Sequence, residues 1–239
     1  MSGADRRRET VWLFDLDNTL HNASAHAFVA LEAAMTQYIV QHLQLQPDAA
    51  VRLRQHYWAR YGATMTGLVR HHGVDAAHFL AETHSLPLLE QHLHAHRADL
   101  RVLRRLPGRK LLLSNAPQAY VQRVLKALGL QRCFDAVLGV EQMAMFGELR
   151  PKPDARMFRH VCARLKLLPA HCVLVEDTLV HQKSARRVGM GTVWMQRWAR
   201  QAAHGPEAGL ALRRRPVYVG RRLQQLRGLQ GLTAAQLRR

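Results

Sequence analysis

A chain of 239 residues with 48% hydrophobic content has the apolar material for a sizeable core, which excludes a disordered protein. No apolar run approaches the roughly 20 residues of a membrane span. The arginine-bearing first ten residues lack the apolar stretch of a signal peptide, so a soluble, cytoplasmic protein is expected. A net charge of +18 raises the question of a polyanionic partner such as nucleic acid. Half of that excess falls in residues 197–239, where ten arginines face only Glu207, and arginines outnumber lysines 30 to five over the whole chain. An arginine-rich proteome would produce that skew without a functional reason, which weakens the inference. Three cysteines, Cys133, Cys162 and Cys172, form no C-x-x-C pair and read as reduced packing residues.

The first element is Val11-Trp-Leu-Phe-Asp-Leu-Asp-Asn-Thr-Leu20, an apolar strand over Val11–Leu16 that ends on two carboxylates and a turn. Alternate side chains of a strand share a face, so Asp15 and Asp17 point the same way while Leu16 points into the core. Residues 21–106 then contain no convincing strand. Apolar residues recur at helical spacing over Ala25–Leu43, Asp48–Tyr61, Asp75–Thr83 and Leu88–Leu106, with Gly62, Gly67, Gly73 and Pro87 as turn markers. A helical block inserted straight after the first strand reads as a cap. It carries 11 of the 15 histidines, but His92, His94 and His96, two apart, would scatter around a helix instead of converging on a metal.

From residue 107 strands and helices alternate. Lys110–Ser114, Ala136–Gly139, Cys172–Glu176 and Thr192–Met195 have strand character, and helical patterns cover Ala119–Leu128, Pro153–Leu167 and Thr178–Val188. Strands apolar on both faces and separated by helices predict a parallel sheet covered on both sides, hence an α/β fold. Beyond Met195 the pattern loosens through a Gly205-Pro206 loop. Pro216–Gly220 is expected as a sixth, edge strand and Arg221–Arg227 as a short helix. The division is a core of residues 1–20 and 107–200, a helical cap of 21–106 and a basic C-terminal extension of 201–239.

Three further segments fall at strand ends, where α/β proteins build their sites. Leu111-Leu-Leu-Ser114-Asn115 ends on a hydroxyl and an amide; Arg150-Pro-Lys152-Pro153 holds one lysine between prolines; Cys172-Val-Leu-Val-Glu176-Asp177-Thr178 ends on a second acidic pair. Carboxylates from two strand ends can hold Mg²⁺, which takes one or two carboxylates together with water and phosphate oxygens. Ser114 and Asn115 add hydrogen-bond donors for a phosphoryl group, and Lys152 adds a point charge.

The order D-x-D-x-T, strand-end serine, lysine, strand-end acidic pair resembles the four motifs of the haloacid dehalogenase-like hydrolase superfamily over about 190 of the 239 residues. The resemblance implies a Rossmann-like parallel sheet with an inserted all-helical cap. It also implies Asp15 as the nucleophile that forms an aspartyl-phosphate, Asp17 as general acid and base, and Mg²⁺ held by Asp15, the Asp17 carbonyl and Asp177. Ser114 and Lys152 would bind the phosphoryl group, and Glu176 and His181 would support the metal site. An acid two residues after the nucleophile is needed to protonate an alkoxide but not to expel halide, so Asp17 points to a phosphatase.

Arg60-Tyr61-Gly-Ala-Thr64-Met-Thr-Gly67-Leu-Val-Arg70 is similar to the cap signature of the pyrimidine 5′-nucleotidase branch, which makes Arg60, Tyr61, Thr64 and Arg70 candidates for base or sugar contacts. His181 departs from the Asn or Asp that relatives often show there. The expected activity is Mg²⁺-dependent hydrolysis of a small phosphorylated metabolite, a nucleoside monophosphate foremost, by a monomer or homodimer. Two other readings stay open: a basic nucleic-acid or polyanion-binding protein with a vestigial site, and a phosphosugar mutase of the same superfamily.

Overall fold

The computed structural model describes residues 10–202, 210 and 212–238; the N-terminal arginines at 6–8 and the Gly205-Pro206 loop lie outside the described residues. Strand β1 (Val11–Phe14) is followed by helices α1 (Ala27–Leu43), α2 (Pro47–Tyr61), α3 (Thr64–His72), α4 (Ala76–His84) and α5 (Arg97–Arg105). The chain then alternates through β2 (Arg109–Leu113), α6 (Gln118–Ala127), β3 (Ala136–Leu138), the short β4 (Ala144–Met145) and β5 (Glu148–Leu149), α7 (Ala155–Arg164), β6 (Cys172–Glu176), α8 (Leu179–Arg187) and β7 (Gly191–Met195). It closes with α9 (Arg197–Ala202), β8 (Arg221–Leu223) and α10 (Ala234–Leu237). Six strands form one sheet in the order β3-β2-β1-β6-β7-β8, and every pairing in it is parallel. The strands β4 and β5 make a separate antiparallel pair.

The central strands β1, β6 and β7 are buried along their whole length, the signature of a parallel sheet covered on both faces. Period-2 alternation splits their side chains between two cores. Trp12, Phe14, Val173 and Val175 pack with Tyr120, Val121 and Val124 of α6, whereas Val11, Leu13 and Leu174 pack with Met157, Phe158 and Val161 of α7. Each fully buried Val, Leu or Phe of this kind contributes about 1.5–3 kcal/mol. A third cluster lies within the helices α1 to α4 and includes Tyr38, Ile39, Ala50, Tyr57, Leu68 and Phe79.

Several element boundaries differ from those expected. Gly67 does not mark a turn but lies inside α3, because a Cβ there would meet the Tyr57 ring at 2.1 Å and only glycine lets α2 and α3 approach so closely. Gly62 and Gly73, by contrast, close α2 and α3 in the left-handed conformation that glycine adopts most readily. The long helix expected over Leu88–Leu106 is broken: Leu88 has φ +57°, Leu89–His92 form a 3₁₀ turn, and helix resumes only at Arg97. His92 therefore ends the 3₁₀ turn, and His94 and His96 lie on irregular backbone before α5. The helix expected from Pro153 starts at Ala155, capped by the Asp154 carboxylate, which accepts from Arg156 N at 2.8 Å.

The edge strand is Arg221–Leu223, not Pro216–Gly220, and the helix expected over Arg221–Arg227 is replaced by this strand and a 3₁₀ turn at Leu226–Leu229. Thr192 sets that register, accepting from Gly220 N at 2.9 Å and donating to Tyr218 O at 2.7 Å. Leu226, Leu229 and Leu237 belong to the same buried cluster as Trp12 and Phe14, as do Leu86, Leu89, Leu103 and Leu106. No helix among the described residues is long and apolar enough to cross a membrane.

Candidate active site

All strands of a parallel sheet end on one side, and here the polar strand ends meet. β1 stops at Phe14, but Asp15 N still donates to Val175 O of the neighbouring strand at 3.0 Å, which fixes the Asp15 carboxyl beside the end of β6. The chain then turns sharply at Asn18 (φ +56°), whose amide is tied to Ser24 by Nδ2 to Oγ at 2.7 Å and by Ser24 N to Oδ1 at 3.0 Å. Asn tolerates this left-handed geometry better than most residues.

Lys152 is 1% exposed and donates through Nζ to Asp15 Oδ1 at 2.7 Å and to Glu176 Oε2 at 2.8 Å. Asn115 fixes the backbone beneath it, donating to Lys152 O and accepting from Lys152 N, both at 2.9 Å. Asn115, expected as a phosphoryl donor, uses its carbonyl oxygen and one amide proton to position the lysine. Ser114 is buried, and its Oγ accepts from Ala116 N at 3.1 Å, leaving its own proton for another acceptor. Glu176 also accepts from Thr178 N at 3.1 Å, and His181 Nδ1 lies 3.1 Å from Glu176 Oε2. Asp177 accepts from Thr178 Oγ1 at 3.0 Å.

Asp17 is held by two residues that motif reading missed. Its Oδ1 accepts from Tyr120 Oη at 2.8 Å, and His21 Nε2 lies 2.9 Å from the same oxygen. Tyr120 is a buried residue of α6, and His21 is fully buried just past the turn. One carboxyl oxygen thereby makes both contacts, and neither reaches Oδ2.

Charge in this cluster is unbalanced. Oxygens of Asp15, Glu176 and Asp177 lie within 4.8 Å of one another, with Lys152 as the ammonium among them. Burial, then repulsion from Glu176, pushes the Asp15 carboxyl up to about 7 despite Lys152, and the same two causes raise Asp177. Burial also opposes ionisation of Glu176, but Lys152 and then His181 outweigh it and hold that carboxyl well below the usual range. For Lys152 the two carboxylates outweigh burial and hold it firmly protonated. Two carboxyls that resist ionisation within a buried, all-oxygen donor set are what a hard divalent cation relieves, so these residues fit Mg²⁺.

A cavity of about 490 Å³ opens over these groups. Its floor is Asp15, Asp17, Ser114, Lys152 and Asp177; its far wall comes from the helices, with Phe28 and Met35 of α1, Arg54 and Trp58 of α2, Met65 of α3 and Phe79 of α4. Of the four specificity candidates only Thr64 lines it. Arg60, Tyr61 and Arg70 form a cluster outside it, with Arg60 Nε donating to Tyr61 Oη at 3.0 Å and Arg70 Cζ 5.8 Å above the Tyr61 ring. Arg54 is the cavity's unforeseen cation. It shares a helix face with buried Ala50 and Tyr57, and a charge on an apolar face was the available signal.

This site joins a nucleophile-capable carboxyl, a second acid two residues on, a buried lysine and a metal-fit acidic pair at the ends of a parallel sheet. That arrangement places a candidate hydrolytic site at the carboxyl ends of an α/β sheet. A model of the haloacid dehalogenase-like hydrolases matches residues 10–189, and the chain belongs to that family. It is similar to Phosphate metabolism protein 8 of Saccharomyces cerevisiae, with 26% identity over 196 residues, 77% of this chain and 60% of that protein's length. Among solved structures, a HAD phosphatase from Thermococcus onnurineus shares the fold at TM-score 0.58 and 20% identity, covering 92% of this chain and 96% of the other. L-2-haloacid dehalogenase from Xanthobacter autotrophicus does so at TM-score 0.55 and 16% identity, over 94% and 99%. The HAD hydrolase YfnB from Bacillus subtilis, described as bound to magnesium, aligns at TM-score 0.57 and 18% identity over 93% and 97%.

Proposed function

We propose that the chain is a Mg²⁺-dependent phosphomonoesterase that passes a phosphoryl group through Asp15, acting on a small metabolite and foremost on pyrimidine nucleoside 5′-monophosphates. The observation that carries the reading is Asp17: it lines the same cavity as Asp15, with Oδ1 held by Tyr120 and His21. An acid at that point serves the leaving alkoxide of a phosphate ester and has no task in halide displacement. Asp15, Asp177 and the Asp17 carbonyl would hold the ion. Bound Mg²⁺ supplies positive charge for phosphoryl oxygens that the acidic cluster would otherwise repel.

In this reading the Asp15 carboxylate attacks phosphorus while Lys152 Nζ and the Ser114 hydroxyl bind the equatorial oxygens. Asp17 gives its proton to the departing ester oxygen and then takes one from the water that hydrolyses the aspartyl-phosphate. The helices α1 to α4 act as a cap whose apolar wall covers the leaving group and keeps bulk water out. A flat nucleobase suits the aromatic side chains Phe28, Trp58 and Phe79 on that wall.

Asp15→Asn is expected to abolish turnover with the fold intact, whereas Asp17→Asn slows turnover by about 10²–10⁴-fold and lets a phosphorylated enzyme accumulate. Mass spectrometry of acid-quenched protein with Mg²⁺ and substrate tests both. Undiminished turnover in Asp15→Asn rules out the covalent route. A screen of nucleotides, phosphoglycolate and sugar phosphates tests the substrate class separately.

A further inference from the structure

Three side chains remote from the catalytic cluster converge on the outer face of the helices. His42 lies in the last turn of α1, and His78 and Glu82 lie one turn apart on α4. One ring nitrogen from each histidine and one Glu82 oxygen all lie within 4.8 Å of one another. His42 Nε2 is 3.2 Å from Glu82 Oε2, and His78 Nε2 is 2.9 Å from Glu82 Oε1. Zinc bonds of about 2.05 Å set tetrahedral ligands ~3.3 Å apart, so three ligand atoms already within 4.8 Å of one another come into range by rotation of exposed side chains.

The cluster is braced from behind by Tyr38. Its hydroxyl hydrogen-bonds His78 Nδ1 at 2.9 Å, and its ring stacks on the His42 ring at a centroid distance of 4.1 Å. A partner on the second ring nitrogen fixes the orientation and tautomer of a metal-binding imidazole. It also leaves Nε2, the nitrogen facing Glu82, as the ligating atom. Two imidazoles with one carboxylate suit Zn²⁺ or a similar borderline transition ion and are a poor match for Mg²⁺.

We propose that His42, His78 and Glu82 form a Zn²⁺ site separate from the catalytic centre, with a water completing the tetrahedron. On binding, both Nε2 atoms present lone pairs, and His78 Nδ1–H donates to the Tyr38 hydroxyl oxygen. The ion links α1 to α4. Both helices line the catalytic cavity, through Phe28 and Met35 on one and Phe79 and Leu80 on the other. Zinc occupancy therefore pins two walls of that cavity to each other.

The test is isothermal titration of the full chain with Zn²⁺ in excess Mg²⁺, followed by Co²⁺ substitution read by visible absorption. Wild type is expected to bind Zn²⁺ and to give the intense d–d bands of a tetrahedral site, and both are lost in His42→Ala and in His78→Ala. Glu82→Gln weakens binding, and Tyr38→Phe weakens it about 10- to 100-fold by removing the bond to Nδ1. His42, His78 and Glu82 are all exposed, so these variants should fold, and far-UV circular dichroism confirms it. The proposal is overturned if wild type takes up no Zn²⁺, or if the histidine variants keep wild-type stoichiometry and affinity, which would place the ion elsewhere.

Discussion

Lys152 stands between Asp15 and Glu176, and one ammonium cannot neutralise three carboxyls. The surplus shows in Asp15, whose carboxyl is pushed up to about 7 by burial and then by Glu176. The sign follows from the direction: above that pH the carboxylate is ready for a cation, and below it a proton must leave first. Mg²⁺ affinity of the proposed site is expected to fall as pH drops through about 7, by up to roughly tenfold per unit for each proton released. Titrations at pH 6, 7 and 8 check this, and equal affinities across that range would contradict it. Arg54 is the other residue with a sharp expectation. Its Nη2 pairs with Glu32 Oε2 at 3.1 Å, while its buried Nε has no hydrogen-bond partner among the described residues. In the proposed function, a guanidinium held this way on the cavity wall would orient substrate without touching phosphorus. Arg54→Met should raise KM about tenfold for the best substrate and leave kcat within about a factor of two. Steady-state kinetics decide, and a collapse of kcat alone would move Arg54 into the chemistry.

At the scale of elements, the strands that build the site were legible and much of their support was not. Cys172–Glu176 matches its expected span because five buried residues with an acidic end admit no other pattern. The ends of β1, β2 and β6 also carried their polar residues in the sequence, since chemistry dictates which types stand there. The cavity wall was hidden, because Phe28, Met35 and Arg54 meet it only through the packing of α1 on α2. Helix α3 was hidden by Gly67, a turn residue used for close approach. Arginines near the C-terminus, read from the sequence for their charge, also serve the fold: Arg197 Nη2 donates to Asp99 Oδ2 at 2.8 Å, and Arg215 Nη1 donates to Gly220 O at 2.9 Å. Asp99 in α5 also accepts from Leu226 N at 2.8 Å, so one buried carboxylate joins three separate segments. Asp99→Ala strips a half-buried guanidinium and a buried amide of their partner. It should cost about 3–5 kcal/mol in urea unfolding. Loss of less than about 1 kcal/mol would show that the β7–β8 pairing, the Thr192 hydrogen bonds and apolar packing hold the C-terminal segment without Asp99.

The whole molecule places a polar floor from the sheet against an apolar wall from the helices, with a space of about 490 Å³ between them. That space suits a nucleotide-sized ester, and small-molecule sites commonly fall in this size range. In the proposed function, the positive net charge would favour encounter with anionic esters over distance, and the buried acids would select, at contact, for one that arrives with a cation. The composition of the wall has a thermodynamic consequence of its own. Solvent that fills the space meets the apolar side chains Phe28, Met35, Trp58 and Phe79. A leaving group that displaces this solvent transfers apolar surface out of water, and its binding must carry a negative heat-capacity change. Inorganic phosphate, which reaches only the floor, should bind with almost none. Calorimetry at several temperatures would then separate what the wall contributes to recognition from what the carboxylates and Lys152 contribute, without a single turnover.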